Sequence, residues 1–282
     1  MEGRFFLFGL GFSGRVIARR LVQAGWSVAG TTRSGEASPE LAGVEMFAFD
    51  RDHPLPPEAV AGVTHLLSSV PPDEAGDPVL DVMGETLRAL PIRWAGYLST
   101  TGVYGDCGGA VIDETAPIRP TLERSRRRAA AEAAWLASGL PVHLFRLAGI
   151  YGPGRSALDT VREGRAKRIV KPGQVFSRIH VDDIAAVVTA SMARPDPGAA
   201  YNVCDDDPAP PQDVIAQACA LLGVAPPPEI PWDEAKDTLS PMQASFYADN
   251  KRIDNGRIKR ELGVRLAYPS YRDGLAAILA ET

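Results

Sequence analysis

Short apolar runs alternate with amphipathic stretches through the first half of the chain. The runs Arg4–Phe8, Ser27–Thr31, Val44–Ala48, Thr64–Leu67, Tyr97–Ser99 and Val142–Arg146 read as strands. The stretches near Gly14–Ala24, Val79–Leu90 and Leu122–Ala137 read as helices. This alternation is how a parallel sheet with crossover helices is written. Phe5-Phe6-Leu7-Phe8 and His143-Leu144-Phe145-Arg146-Leu147 are nearly continuous in apolar side chains, as strands covered on both faces are. After Tyr151 the texture changes: helices expected at Asp183–Ala193, Gln212–Leu222 and Tyr271–Ala280 are separated by proline-rich segments such as Ala225–Pro231. The pattern predicts an α/β protein with a sheet domain over residues 1–150. Residues 151–282 are read mostly as a smaller lobe, interleaved with the sheet. No internal repeat is present.

Composition narrows the function classes. Of 282 residues, 45% are hydrophobic and 23% charged, ordinary for a chain that buries a core. A net charge of −5 argues against a general nucleic-acid binder, which needs a basic surface, but leaves room for a basic pocket. Cys107, Cys204 and Cys219 have no metal-ligand spacing, and their odd number makes a poor disulfide framework. No metal site and no membrane span are expected. The apolar start lacks a basic leader and a cleavage site, so the expectation is a cytoplasmic protein.

The chemistry begins where the first strand ends. Phe8-Gly9-Leu10-Gly11-Phe12-Ser13-Gly14 is a G-x-G-x-x-G turn, followed by an amphipathic helix and a second strand. In such a turn Gly9 permits the tight bend, Gly11 lets a pyrophosphate approach the backbone, and Gly14 lets helix and strand pack closely. The helix N-terminus, at Phe12 and Ser13, offers N–H groups and partial positive charge to phosphate. Strand, turn, helix and second strand together predict a doubly wound Rossmann sheet that binds a dinucleotide. At the end of the second strand stand Thr32 and Arg33, where an NAD site usually places a carboxylate. A hydroxyl and a guanidinium suit a 2′-phosphate, so NADP(H) is favoured over NAD(H). The plain alternative is a solvated loop arginine.

The chain resembles the extended short-chain dehydrogenase/reductases, a family that includes nucleotide-sugar epimerases and dehydratases. Beyond the glycine turn, the likeness rests on five further segments in order. These are Leu98-Ser99-Thr100-Thr101-Gly102-Val103-Tyr104-Gly105, Arg146 to Gly154, Arg178-Ile179-His180-Val181-Asp182-Asp183-Ile184, and Tyr201-Asn202-Val203 with the closing Tyr268 to Leu275. The resemblance implies that Thr100 hydrogen-bonds the substrate oxygen. It also implies a tyrosine general acid or base and a ribose-holding lysine, in a Y-x-x-x-K motif on the next helix. That motif is missing: anchored on Glu132, its positions fall on Arg124 and Arg128, and no tyrosine or lysine lies between Gly105 and Ile150. A guanidinium keeps its proton at ordinary pH, so Arg124 cannot take over the tyrosine's proton transfer. Arg128 could still donate to ribose hydroxyls; a solvated arginine run is the plain alternative. The literal Tyr247-Ala248-Asp249-Asn250-Lys251 lies far along the chain and is read as coincidence.

Other residues are weighed similarly. The resemblance places Asp50 at adenine, against a strand-end loop carboxylate. Ser68, Ser69, Val70 and Ser99 follow or end strands at the carboxyl edge where such sheets bind ligands, so they join the cofactor contacts. His180 is read as structural, Asp205-Asp206-Asp207 as a solvated turn, and Cys107 as a thiol without a visible activating base. Tyr104 and Tyr151 are the nearest candidates for a substitute acid. The leading expectation is an oxidoreductase or epimerase with a non-standard active site, acting on a small molecule; a dimer is usual for the family. The alternative is a catalytically silent NADP(H)-binding sensor that acts through a protein partner.

Overall fold

The computed structural model describes residues 3–36 and 38–281. Its sheet strands are β1 (Arg4–Phe8), β2 (Ser27–Thr32), β3 (Val44–Ala48), β4 (Val63–Ser68), β5 (Trp94–Thr100), β7 (Val142–Leu147) and β11 (Ala200–Val203). The remaining strands are short: β6 (Val111–Ile112), β8 (Gly149–Tyr151), β9 (Arg168–Val170), β10 (Arg178–His180), β12 (Glu229–Pro231) and β13 (Arg252–Ile253). Sheet order is β11-β7-β5-β4-β1-β2-β3, a seven-stranded parallel sheet of the Rossmann type. The chain runs outward from β1 to β3, then returns to lay β4 on the other side of β1. The switch point therefore lies between β1 and β4, and the crevice at their carboxyl ends is where a doubly wound sheet accepts ligand.

All six strands expected from the pattern form, as do the helices α1 (Phe12–Gln23), α2 (Pro78–Arg88) and α3 (Glu123–Leu136). The seventh strand, β11, was legible only as a family landmark. At four residues it is too short for alternation to declare itself. The short ribbons β6/β13, β8/β10 and β9/β12 are two or three residues long and left no pattern either.

Two compact units interleave along the sequence. The first comprises Met1–Thr100, Glu123–Arg146 and Ile184–Tyr201; the second comprises Thr101–Leu122, Leu147–Asp183 and Asn202–Thr282. In the first unit Phe6, Phe8, Leu66, Tyr97, Trp135 and Leu144 belong to one buried cluster on the sheet. Trp135 stacks on Tyr97 and donates its indole N–H to Asp77 Oδ2 at 2.9 Å. Asp77 in turn caps α2 through the N–H groups of Val79 and Leu80. α5 (Val181–Ala193) follows α4 (Ala157–Arg162) in the chain; in the second unit, α4, α6 (Pro211–Leu222) and the C-terminal helix Tyr271–Ala280 bury a cluster that includes Leu158, Ala218 and Leu275.

One buried ion pair ties α3 to the sheet. Arg146 on β7 donates from Nε to both oxygens of Glu132 at 3.2 Å and from Nη2 to Oε2 at 2.9 Å. Their side chains are 8% and 5% exposed, so removing one partner strands a charge away from water. Glu132→Ala is expected to lower unfolding free energy by about 3–5 kcal/mol. Urea denaturation measures it, and a loss below about 1 kcal/mol, the range of an exposed pair, would contradict the assignment.

Candidate functional site

The glycine turn is built by sterics and held by two hydroxyls. Gly9 has φ +88°, a conformation that a side chain resists. Its N–H donates to Thr31 Oγ1 at 2.9 Å, and the Leu10 N–H donates to Thr31 O at 2.7 Å, which binds the turn to β2. On the other flank Ser69 Oγ donates to Gly9 O at 2.6 Å, and the Ser69 N–H donates to Phe8 O. A Cβ at Gly14 would lie 2.5 Å from Gly9 O, so only glycine lets α1 begin this close to β1. Gly11 differs: a Cβ there would meet no atom within 4 Å. No packing within the described residues calls for glycine at position 11, which fits a backbone kept bare for a phosphate. Gly11 caps α1 without a side chain, and the first turn, from Phe12 and Ser13, carries no acidic residue. The helix thus presents its positive end at the switch point.

The carboxyl ends of β2 and β3 continue the same edge. Thr32 Oγ1 accepts the Gly35 N–H at 2.9 Å and shapes the loop that carries Arg33. Arg33 is exposed, with no ion pair or hydrogen bond to a described residue. Asp50 Oδ1 accepts from the His53 ring at 2.7 Å and from the Asp52 and His53 N–H groups at 2.9 Å. The His53 bond, with these backbone donors, holds its carboxyl below the usual range. One oxygen of Asp50 is therefore spent on its own loop.

Toward the other side of the switch point, Ser68 and Ser99 are buried at 0% and 5% exposure, and their hydroxyls have no hydrogen-bond partner among the described residues. Val70 packs against the turn, with its side chain 3.3 Å from where a Cβ of Gly9 would stand. Thr100 is the last residue of β5. Arg128 reaches this strand from α3: Nη1 donates to Leu98 O at 2.9 Å and to the Tyr97 hydroxyl at 3.1 Å. Arg124, one turn earlier, is exposed. The two arginines on one helical face thus have different surroundings. Tyr97 escaped the sequence reading because it looks like any aromatic in a buried strand; burial pushes its phenol well above the usual range.

The second unit holds the other candidates. Tyr104 is 1% exposed and donates to Asn202 Oδ1 at 2.7 Å; Tyr151 donates to Ser270 O at 3.4 Å. Both hydroxyls are engaged within the unit. His180 packs between the rings of Tyr151 and Tyr268, and burial lowers its pKa. Burial raises the Cys107 thiol, so it is not poised as a nucleophile. The Tyr247 ring stacks on Trp232 while Lys251 Nζ donates to Gly105 O at 2.7 Å, contacts that account for both residues structurally. The three consecutive aspartates diverge: Asp206 pairs with Lys259, Asp207 pairs with Arg272, and Asp205 is buried. Among the described residues no group of three potential ligands could hold a metal ion. No helix there is long and apolar enough to cross a membrane.

Asp205 differs from a solvated turn residue. It is 2% exposed, Oδ2 has no hydrogen-bond partner among the described residues, and burial pushes its pKa up to about 8. A carboxyl raised in the folded state stays protonated while its unfolded counterpart ionises. Stability is therefore lost as pH rises from about 4 to about 8. Asp205→Asn removes that loss, so its stability relative to wild type should improve between pH 5 and pH 8 in urea midpoints. An equal difference at both pH values would refute the buried, protonated carboxyl.

Comparison with known proteins follows the same line. No family model matches the chain. It is 29% identical to Protein YeeZ of Escherichia coli strain K12, over 93% of this chain and 95% of that protein. It is 27% identical to a 3-diazoavenalumate denitrifying reductase of a Streptomyces species, over 68% and 66%. Among solved structures, a conserved protein of unknown function from Silicibacter pomeroyi DSS is 52% identical with a TM-score of 0.89, covering 99% of each chain. A Methylobacillus flagellatus protein classed with the NAD-dependent epimerases/dehydratases is 26% identical with a TM-score of 0.77, covering 100% of this chain and 99% of its own. At 17% identity, the dTDP-glucose 4,6-dehydratase DesIV of Streptomyces venezuelae, solved with NAD, shares the fold with a TM-score of 0.81, covering 98% and 96%.

Proposed function

We propose that this chain is a member of the extended short-chain dehydrogenase/reductases, the NAD-dependent epimerase/dehydratase-like family, and that it binds NADP(H) and exchanges hydride with a small carbonyl or carbinol compound. The observation that carries the reading is the bare backbone at Gly11, set at the positive end of α1 and at the switch point of the sheet. Gly9, Gly11, Phe12, Ser13 and Gly14 would hold the pyrophosphate. Thr32 and Arg33 would face the adenosine ribose and its 2′-phosphate, with Asp50 toward adenine. Ser68, Ser69, Val70 and Ser99 would line the path to the nicotinamide. The relatives support a nicotinamide cofactor: DesIV was solved with NAD, and the Methylobacillus protein is classed as NAD-dependent.

When bound, the nicotinamide supplies or takes hydride at C4. The chain's part is to orient the partner. Thr100 donates a hydrogen bond to the substrate oxygen. Arg128 does not act as the family's lysine does toward a tyrosine, since no tyrosine stands at position 124. Its charge is placed at the carboxyl end of β5 by Leu98 O and Tyr97, close in sequence to Thr100. The proton balancing hydride transfer comes from water or the substrate, not from a guanidinium.

A second reading, a silent NADP(H)-responsive sensor, is favoured by one observation: the hydroxyls of Tyr104 and Tyr151, the substitute acids nearest in sequence, are both engaged elsewhere. The two readings share the cofactor and part on turnover.

Direct titration of ligand-stripped protein should give tighter binding to NADPH than to NADH. Arg33→Ala should weaken NADPH about tenfold or more, the worth of a charge-assisted hydrogen bond, and NADH by less than about twofold. Equal loss for both nucleotides would overturn the 2′-phosphate role. With a panel of sugar nucleotides and small carbonyl compounds, Thr100→Val should cost about a hundredfold in turnover, as loss of an oriented donor does. Wild-type protein that binds NADPH and turns over none of the panel would leave the sensor reading standing.

A further inference from the structure

The second unit contains a pocket that the cofactor reading does not use. It has a volume of about 500 Å³, and every residue around it comes from that unit. This is the size of a small-molecule site. Tyr151 and Tyr271 form aromatic walls, with Ile150, Val214, Ile215 and Leu275 supplying apolar surface. α4, α6 and the C-terminal helix surround it. The packing is tight at one wall: a Cβ on Gly274 would collide with the Tyr151 ring, so the tyrosine is fixed in place.

The charges are unequal. Arg155, Arg165, Lys167 and Arg178 line the pocket, against Asp159 and Glu163. Both carboxylates are already engaged. Asp159 closes the capping box of α4 with Ser156, and Glu163 pairs with Arg165. The formal balance is two positive charges. Arg178 is held among the lining residues by its Nη1, which donates to Phe176 O at 2.9 Å and Ala209 O at 3.1 Å, and it makes no ion pair with a described residue. Its natural counter-charge, Asp205, is the carboxyl that burial keeps protonated. A desolvated guanidinium held by two carbonyls and the face of the Phe176 ring, with no carboxylate, is costly to keep, and an anion in the pocket would complete it.

We propose that this pocket binds a small organic anion, its carboxylate or phosphate on Arg178 with Lys167 at the mouth, and its aromatic or aliphatic body between Tyr151 and Tyr271. None of the residues that line it belongs to the dinucleotide cradle. Carboxylate and phosphate offer Arg178 the same paired acceptor oxygens, so the class is the anion plus its apolar body rather than either head alone.

Calorimetric titration of the cofactor-free protein tests it, using 3-phenylpropanoate and phenyl phosphate as probes, with 3-phenylpropanamide as the uncharged counterpart and inorganic phosphate as the head without a body. At least one of the two anions should saturate, and which one does identifies the preferred head. The amide and inorganic phosphate should each bind at least about tenfold more weakly. Arg178→Gln should abolish binding. Lys167→Glu, an exposed change that leaves the fold alone, should weaken it about three- to tenfold and so serves if Arg178→Gln fails to fold. Gly11→Val should leave anion binding unchanged, which separates this pocket from the cradle. The proposal is overturned by no saturation with either anion, by amide binding equal to the carboxylate, by indifference to Lys167→Glu, or by loss in Gly11→Val.

Discussion

The close approach between Gly9 O and Gly14 is the constraint on which the first unit's chemistry depends. If α1 had to begin further from β1, its N-terminus would not lie over the crevice, and the sheet would present no concentrated positive end there. Two glycines make the approach sterically allowed, but they do not hold it. Thr31 and Ser69 do, one from each neighbouring strand end: the Thr31 hydroxyl accepts from the Gly9 N–H, and the Ser69 hydroxyl donates a hydrogen bond to the Gly9 carbonyl. The turn is thus locked to both sides of the switch point, and its position is set by the order of the sheet. Ser69 therefore serves the site as a staple. Its hydroxyl bridges the turn from the strand end beside it.

The departure at α3 changes what the family's scaffold can do. In a Y-x-x-x-K site the helix supplies a titratable hydroxyl and a cation that tunes it. Here the helix supplies guanidinium at both positions, and the pair divides: Arg128 anchors to β5 and Arg124 stays at the surface. Neither Arg124 nor Arg128 can exchange a proton near neutral pH. What persists is the scaffold that placed the motif, including the buried pair of Glu132 and Arg146 that fixes the helix on the sheet.

The parts legible in the sequence were those written by periodicity or by steric necessity. Buried parallel strands need continuous apolar runs, so β1 and β7 could be read directly. Gly9 and Gly14 are demanded by φ and by contact distance, and the motif records both. The illegible parts depend on what stands opposite in space. Tyr97 looks like any core aromatic until Arg128 arrives on its hydroxyl. The bonds that the Asp52–His53 loop returns to one oxygen of Asp50 are likewise invisible until the loop folds. Asp205 sits in a run of three aspartates, where charge count alone says solvated; only the fold separates it from the other two by burying it.

That separation links the second unit's polar groups. Arg178 and Asp205 would satisfy one another if both were charged and in contact, but they form no ion pair, and burial favours the neutral acid. A guanidinium cannot relieve its own desolvation by losing its proton in the way a carboxyl can by gaining one. The two groups therefore respond differently to the same burial: the acid becomes neutral and the base stays charged. The remaining charge faces an aromatic-walled pocket whose two carboxylates are already committed, and this asymmetry selects for an anion rather than a cation as its complement.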